Sequence, residues 1–265
     1  MIAILRARLK QKHRTVAFPD APPVLPDRFR GLPCVRAAHC PAGCSRCIGS
    51  CPVGALSLVA SRPRIDLGRC LFCAACARAC PLAAITFTRD YRLATRSRAA
   101  LTTDGHNYAV ACALDSQMRA LFGRSLKLRQ VSAGGCNACE ADTTVLSTIV
   151  FDLGRFGIQF VASPRHADGL LITGPVTQNM VLALKKTYDA VPAPKLVVAV
   201  GACAISGGSY AGHEEANDGA ASTVPVDLYI PGCPPHPVTI LDGLLRLLGR
   251  MQRLLPSKDR RSIMP

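Results

Sequence analysis

The sequence predicts two folded units in series: a small α+β unit organised around cysteines, then an α/β unit with a mostly parallel sheet. Two observations carry this. A cysteine-rich segment occurs twice within residues 39–88, and after residue 125 short apolar runs alternate with amphipathic ones. A third sets the bounds: 265 residues with 49% hydrophobic content suffice for two modest cores and exclude wholesale disorder.

In the front unit, HCPAGCSRCIGSCPVGALSLV from His39 aligns with RCLFCAACARACPLAAITFT from Arg69. Cys44, Cys47 and Cys51 recur as Cys73, Cys76 and Cys80, with Pro52 and Pro81 following in register and Ala55-Leu56 matching Ala84-Ile85. The second copy is Cys-x2-Cys-x2-Cys-x3-Cys-Pro, the bacterial ferredoxin signature, in which three close cysteines hold one [4Fe–4S] cubane and the fourth crosses to the other. The expected ligand sets are Cys40, Cys44, Cys47 and Cys80 for one cluster, and Cys70, Cys73, Cys76 and Cys51 for the second. The first copy departs by one residue, with Pro41-Ala42-Gly43 between Cys40 and Cys44, and Cys34 is the rival for that ligand position. Zinc fits poorly, because its sites use paired Cys-x2-Cys arms, often with His. Strands are expected at Ala55–Val59, Arg64–Leu67 and Ile85–Thr88, within a ferredoxin-like α+β unit over residues 31–98 that follows a basic arm at 1–30.

Residues 99–125 read as a linker with a helix, Asn107–Phe122, in which Cys112 falls at an apolar position and is expected to be a buried thiol. From 126 to 256 the pattern predicts an α/β unit. Its strands are Leu126–Val131, Ile158–Val161, Leu170–Thr173, Leu196–Val200 and Val226–Ile230, and its helices Thr143–Gly154, Gln178–Ala190 and Pro237–Leu255. A basic tail, 257–265, follows. In such sheets ligands sit beyond the carboxyl ends of the strands. Cys136 and Cys139 follow the first strand, Cys203 the fourth and Cys233 the fifth, in the loops AGGCNACE, GACAISGG and IPGCPPHP. Four thiolates at one rim make a ligand set for a third [4Fe–4S] cluster, with Gly134, Gly135, Gly201 and Gly232 letting the backbone approach its sulfurs. GACAISGG lacks the Gly-Lys-Ser/Thr ending of a phosphate loop. The closing helix carries Leu241, Leu244, Leu245, Leu248 and Met251, a stripe that could face a partner or its own core.

Charge and composition narrow the function. Residues 1–100 hold 17 Lys/Arg against 4 Asp/Glu, and residues 101–265 hold 15 against 13. The chain has no Trp and only 5% aromatics, so stacking platforms are scarce and nucleic acid is not the expected partner. A cubane held by four thiolates is a net dianion, so basic residues around two of them are in place; the surplus suggests an acidic partner surface or anionic lipid. The stretch MIAILRARLKQKHR has charges interrupting its apolar residues and lacks a secretory h-region. It is expected to form a surface helix or a docking arm, with a peripheral membrane anchor as the alternative. No apolar run approaches the roughly 20 residues of a membrane span. A cytoplasmic chain is therefore expected, and its 14 cysteines point to clusters, not disulfides.

The front half resembles the two-cluster ferredoxin subunit of membrane-bound [NiFe] hydrogenases of the formate hydrogenlyase kind, most clearly over LGRCLFCAACARACPLAAITFTRDY. The back half resembles the small subunit of those hydrogenases and the 20-kDa subunit family of respiratory complex I. The matching stretches are GGCNACE, RFGIQFVASPRHADGLLITGPVT, VGACAISGG and VPVDLYIPGCPPHP. The resemblance implies a flavodoxin-like back unit whose cluster lies beside a large catalytic subunit, Ni–Fe or quinone-type, that carries the catalytic centre. It also implies membrane-anchoring subunits, an electron-donor protein and a position on the inner face of the membrane. Complex I members carry adjacent cysteines in the first ligand loop, whereas here Asn137 and Ala138 separate Cys136 from Cys139, as in the hydrogenase branch. Ala204 after Cys203 departs from that branch and matches complex I. Glu140 matches the family, with a proton or orientation role near the partner's site or a simple helix-start role. Arg165 and His166 could tune the cluster's potential or pair on the surface. The readings left open are a [NiFe] hydrogenase electron wire, the same wire in a nickel-free or quinone-reducing complex, and a stand-alone iron–sulfur binding or sensing module.

Overall fold

The computed structural model of the chain describes residues 2–12, 14–41, 44–59, 62–106 and 108–251. The front unit contains α1 (Ile2–Gln11), β1 (Pro33–Val35), α2 (Arg46–Gly49), β2 (Leu56–Val59), β3 (Arg62–Asp66), α3 (Ala75–Ala79), β4 (Ile85–Phe87) and β5 (Thr102–Thr103). β1 and β4 form an antiparallel pair, and β2, β3 and β5 a three-stranded antiparallel sheet. The three expected strands are present. β1 and β5 are additional, because three- and two-residue strands are too short to show a period. β5 lies in the segment that reads as linker, so the front sheet draws on residues past 98.

The back unit follows as α4 (Ser116–Phe122), β6 (Leu126–Ser132), α5 (Ala138–Val145), β7 (Ile158–Phe160), β8 (Gly169–Thr173), α6 (Gln178–Ala190), β9 (Leu196–Val200), α7 (Gly201–Ser206), β10 (Leu228–Ile230) and α8 (Pro237–Leu247). Its five strands are all parallel, in the order β10-β9-β8-β6-β7. Numbered within the sheet this is 2-1-3-4-5, the flavodoxin order, with its switch point between β6 and β8. Central β8 and β9 are buried at every residue, which is why they read as unbroken apolar runs.

The pleat sorts the core into two layers. Leu170, Ile172, Val197, Ala199 and Tyr229 face one side, where they join Leu184 of α6, Ile205 of α7 and the front unit's Leu67, Ile85 and Leu101 in a single apolar cluster. Leu171, Leu196, Val198, Val200, Leu228 and Ile230 face the other, against α8. The closing-helix residues Leu241, Leu244, Leu245, Leu248 and Met251 are all buried there, so the stripe serves the chain's own core. The arm contributes too: Phe18 is buried in this second cluster, and Arg155 donates to the Val16 and Phe18 carbonyls at 2.9 and 2.7 Å.

Three helices differ from expectation. The helix expected at 107–122 starts only at Ser116, where the Asp115 side chain caps it by accepting from Met118 N–H at 2.9 Å. Upstream, the backbone bonds elsewhere, Ala111 N–H to Ala94 and Leu114 N–H to Leu247. In that extended stretch Ala111 and Leu114 point inward and Cys112 is exposed, not buried. The helix expected at 143–154 instead begins at Ala138 and tightens after Val145 into i→i−3 bonds from Leu146, Ser147 and Thr148. The last helix ends at Leu247, ahead of Gly249 at φ +69°; residues 252–265, including the expected tail, lie outside the described residues. No helix among the described residues is long and apolar enough to cross a membrane.

Leu171 is fully buried at the centre of β8, so Leu171→Ala should lower stability by about 2–5 kcal/mol in anaerobic denaturant titration. Leu182→Ala, on the exposed face of α6, should change it by less than about 0.5 kcal/mol.

Candidate functional site

The two cysteine repeats supply two separate groups of thiols. Cys40, Cys44, Cys47 and Cys80 line one cavity of about 550 Å³, walled by Pro41 and Pro63. Burial raises the Cys40 thiol above its ordinary pKa, and Cys44 and Cys80 raise it further. Cys34 is not among the lining residues; it sits in β1 opposite Thr86, its Sγ 3.9 Å from His106 Nε2. Cys51, Cys70, Cys73 and Cys76 form the second group. Burial pushes Cys70 up to about 12 against the hydrogen bond its sulfur accepts from Phe72 N–H at 3.3 Å, and Cys76, Cys51 and Cys73 add to the rise. The repeat extends to hydrogen bonding: Ala55 N–H donates to Cys51 Sγ at 3.2 Å, and Ala84 N–H to Cys80 Sγ at 3.3 Å.

The third group sits at the carboxyl rim of the parallel sheet. Asn137, at φ +70°, turns the chain out of the loop after β6 so that α5 starts at once with Cys139 in its first turn. Cys203 lies in α7, directly after β9, and Cys233 follows β10. The short α7 occupies a stretch that reads as loop, because its six residues are mostly small and carry no amphipathic stripe. Burial drives the Cys139 pKa well above the ordinary thiol range, with Cys203, Glu140, Cys233 and Cys136 adding to it. Cys203 is pushed up to about 11 by burial and by Cys233 and Cys136. Cys136 and Cys233 are exposed. Of the glycines singled out, Gly201 is the one that faces a cysteine sulfur: at φ +89°, a Cβ there would stand 2.5 Å from Cys139 Sγ.

Crowded thiols with raised pKa values are protonated at neutral pH and repel one another when ionised. A polynuclear metal centre reverses that, since its positive core stabilises the thiolates. Among the described residues no His, Cys, Asp or Glu side chains gather as tightly as a single ion requires. The cavity at the first group is many times the volume of a water molecule.

Glu140 is buried and has a structural partner set. Its Oε1 accepts from Ser132 Oγ and Thr173 Oγ1, both at 2.6 Å, tying α5 to the ends of β6 and β8. Burial alone would raise its pKa, but these hydrogen bonds prevail and hold it below the ordinary carboxylate value. Arg165 and His166 are exposed, and neither enters a salt bridge among the described residues. They precede the amino end of β8, whereas the cysteine rim lies at its carboxyl end.

Several site residues leave no clear mark in the sequence. A cavity of about 350 Å³ between the second and third groups is bordered by Cys73 and Cys233, and the arm's Phe29 and Arg30 cover it with His236. Arg30 donates to the Phe72 carbonyl at 3.1 Å, and the Phe29 ring meets His236 edge-on at 5.6 Å. The only signal is the density of Arg, Pro and Phe in residues 22–30, which reads equally as a loose linker.

Fold and site together point to a class, the iron–sulfur electron-transfer subunits. Residues 136–247 match the family described as NADH ubiquinone oxidoreductase, 20 Kd subunit, and residues 63–86 match the 4Fe-4S binding domain. A probable membrane-bound hydrogenase subunit, mbhJ, of Pyrococcus furiosus is 38% identical over 140 residues, 53% of this chain and 84% of that protein. Formate hydrogenlyase subunit 7 of Escherichia coli is 41% identical over 135 residues, 51% of this chain and 53% of its own length. A subunit of the NADH-quinone oxidoreductase of Citrifermentans bemidjiense is 46% identical over 117 residues, 44% of this chain and 68% of its own. The chain belongs to the 20 Kd subunit family, with a 4Fe-4S binding segment ahead of the family domain.

Glu140→Ala would strand the Ser132 and Thr173 hydroxyls and should lower stability by about 1–3 kcal/mol. Glu140→Gln keeps an acceptor and should retain most of it, as read by anaerobic denaturant midpoints.

Proposed function

We propose that this chain is the electron-transfer subunit of a membrane-associated [NiFe] hydrogenase-type complex and that it holds three [4Fe–4S] clusters. Their ligands are Cys40, Cys44, Cys47 and Cys80; Cys51, Cys70, Cys73 and Cys76; and Cys136, Cys139, Cys203 and Cys233. The observation that carries this reading is the contiguity of the three thiol groups. Cys47 of the first is among the charges that raise Cys76 of the second, where burial is the largest cause. Cys73 of the second likewise acts on Cys233 of the third, again behind burial and Cys136. The second group therefore stands in the middle of the series. When bound, such clusters supply one-electron transfer at potentials set by hydrogen bonding and solvent exposure.

The chain's own residues set those conditions. Backbone N–H groups of Ala55 and Phe72 donate to sulfurs of the second site and that of Ala84 to a sulfur of the first, which favours the more negatively charged state of these two sites. Phe29 and His236 cover the gap between the second and third groups. Exposed Cys136 and Cys233 leave the third group open, so a large subunit carrying the catalytic centre is assigned to the face around these two cysteines. The donor protein then belongs at the first group, and the complex sits on the inner face of the membrane with its anchoring subunits. The spacing of Cys136 and Cys139 supports the hydrogenase branch. Ala204 and the 46%-identical quinone oxidoreductase relative favour a second reading, the same subunit in a quinone-reducing complex.

Anaerobically purified protein should contain about 12 Fe and 12 sulfides per chain, following four of each per cubane. A content near eight removes one site, and zinc in place of iron removes the reading. Cys40→Ser and Cys80→Ser should degrade the same cluster signal in electron paramagnetic resonance, whereas Cys34→Ser should leave iron content unchanged. In the assembled complex, Cys139→Ser should abolish hydrogen-dependent dye reduction while the front clusters remain reducible by dithionite. Retained hydrogen turnover with the physiological donor would refute the electron path, and quinone reduction without nickel would move its end point to the second reading.

A further inference from the structure

Helix α1 is held to the molecule without being packed into it. Not one of its residues is buried, and Ile2, Ile4, Leu5 and Leu9 are 61–77% exposed. Lys12, at φ +55°, ends the helix, and Thr15 and Val16 are fastened to the back unit: Val16 N–H donates to the Val150 carbonyl at 2.8 Å, and Thr15 Oγ1 to the Ile149 carbonyl at 2.9 Å. Ile149, 71% exposed, and Val150, 40% exposed, lie beside Thr15 and Val16.

The pattern of α1 is specific. Ile2, Leu5 and Leu9 fall at i, i+3 and i+7, one narrow stripe of a helix. At 100° per residue, Arg6 and Lys10 lie along one side of that stripe and Arg8 along the other. Residues 2–19 hold five Lys/Arg and no Asp or Glu. With no acid in the helix, the cations on both flanks can bury their stems beside the stripe and raise their charges to an anionic headgroup plane.

We propose that α1 is a membrane-surface helix, seating Ile2, Leu5 and Leu9 among the acyl chains of an anionic phospholipid leaflet with its Lys/Arg residues on the phosphates. This inference stands independently of the cluster assignment. The test is co-flotation of the full, iron-loaded chain with vesicles of phosphatidylcholine, with or without phosphatidylglycerol. Wild type should float with the anionic vesicles, and salt should release it by screening. Leu5→Ser/Leu9→Ser should cut the bound fraction about tenfold or more, and Arg6→Gln/Lys10→Gln should do the same. Both variants should keep wild-type iron content, since no α1 side chain is buried. Flotation with neutral vesicles as strong as with anionic ones, or variants that float like wild type, would overturn the proposal. So would α1 amides that are protected from hydrogen exchange by the large subunit and not by vesicles. A chain that floats but holds no iron would support this inference and remove the electron-transfer reading.

Discussion

The apolar cluster that crosses from the front unit onto one face of the parallel sheet is the constraint on which the rest depends. Leu67 and Leu101 belong to the same cluster as Ile205 and Tyr229. Polar contacts set the fit: Ser206 Oγ donates to the Gly68 carbonyl at 2.8 Å, and Thr95 and Tyr229 exchange backbone hydrogen bonds at 3.0 and 2.8 Å. Gly68 suits this approach: a Cβ there would stand 2.8 Å from Ile205 Cγ2 and 2.9 Å from Arg98 Cζ, and those side chains would have to shift. Two antiparallel sheets and a parallel one are thus held in one orientation, and that orientation puts Cys73 on the same cavity as Cys233.

Charge follows from the same arrangement. The first 100 residues contain only four acids, Asp20, Asp27, Asp66 and Asp90. Asp66 is taken by Arg98 in a two-point bridge at 2.8 and 2.6 Å, and Asp90 by Arg92 at 2.7 and 2.6 Å. The basic surplus therefore has little internal compensation; Arg46 lines the cavity of the first thiol group, and Arg28 and Arg30 line the one beside Cys73. Thiolate-held clusters, each a dianion by the proposed assignment, would draw on that field.

Much of this was legible in the residues. Gln178–Ala190 and Leu196–Val200 have the expected boundaries, because a clear period and unbroken burial leave one reading each. The cysteine groupings at the sheet rim were legible because the cysteines follow strands whose apolar runs are plain in the sequence. What escaped was set by tertiary contact. Cys112 occupies an apolar slot in the helical pattern, but the Ala111 and Leu114 amides bond to the distant Ala94 and Leu247 carbonyls, so the pattern becomes a helix only from Ser116. α5 begins five residues early because Asn137 takes a left-handed turn, a conformation no period reveals. The two hydroxyls on Glu140 come from β6 and β8, 8 and 33 residues away in sequence, so only the folded sheet brings them together.

The buried join between the units has a consequence for how such a chain could be divided. Were the gene cut between the front sheet and β6, each product would expose its share of a core that now includes Leu101, Ile205 and Tyr229. The halves would have to meet by diffusion before either was fully folded, and their ratio would depend on two expression levels. In one polypeptide that encounter is intramolecular, with an effective concentration far above any the free halves could reach. Fusion therefore makes stoichiometry and alignment properties of translation itself, leaving nothing at this junction to be assembled afterwards.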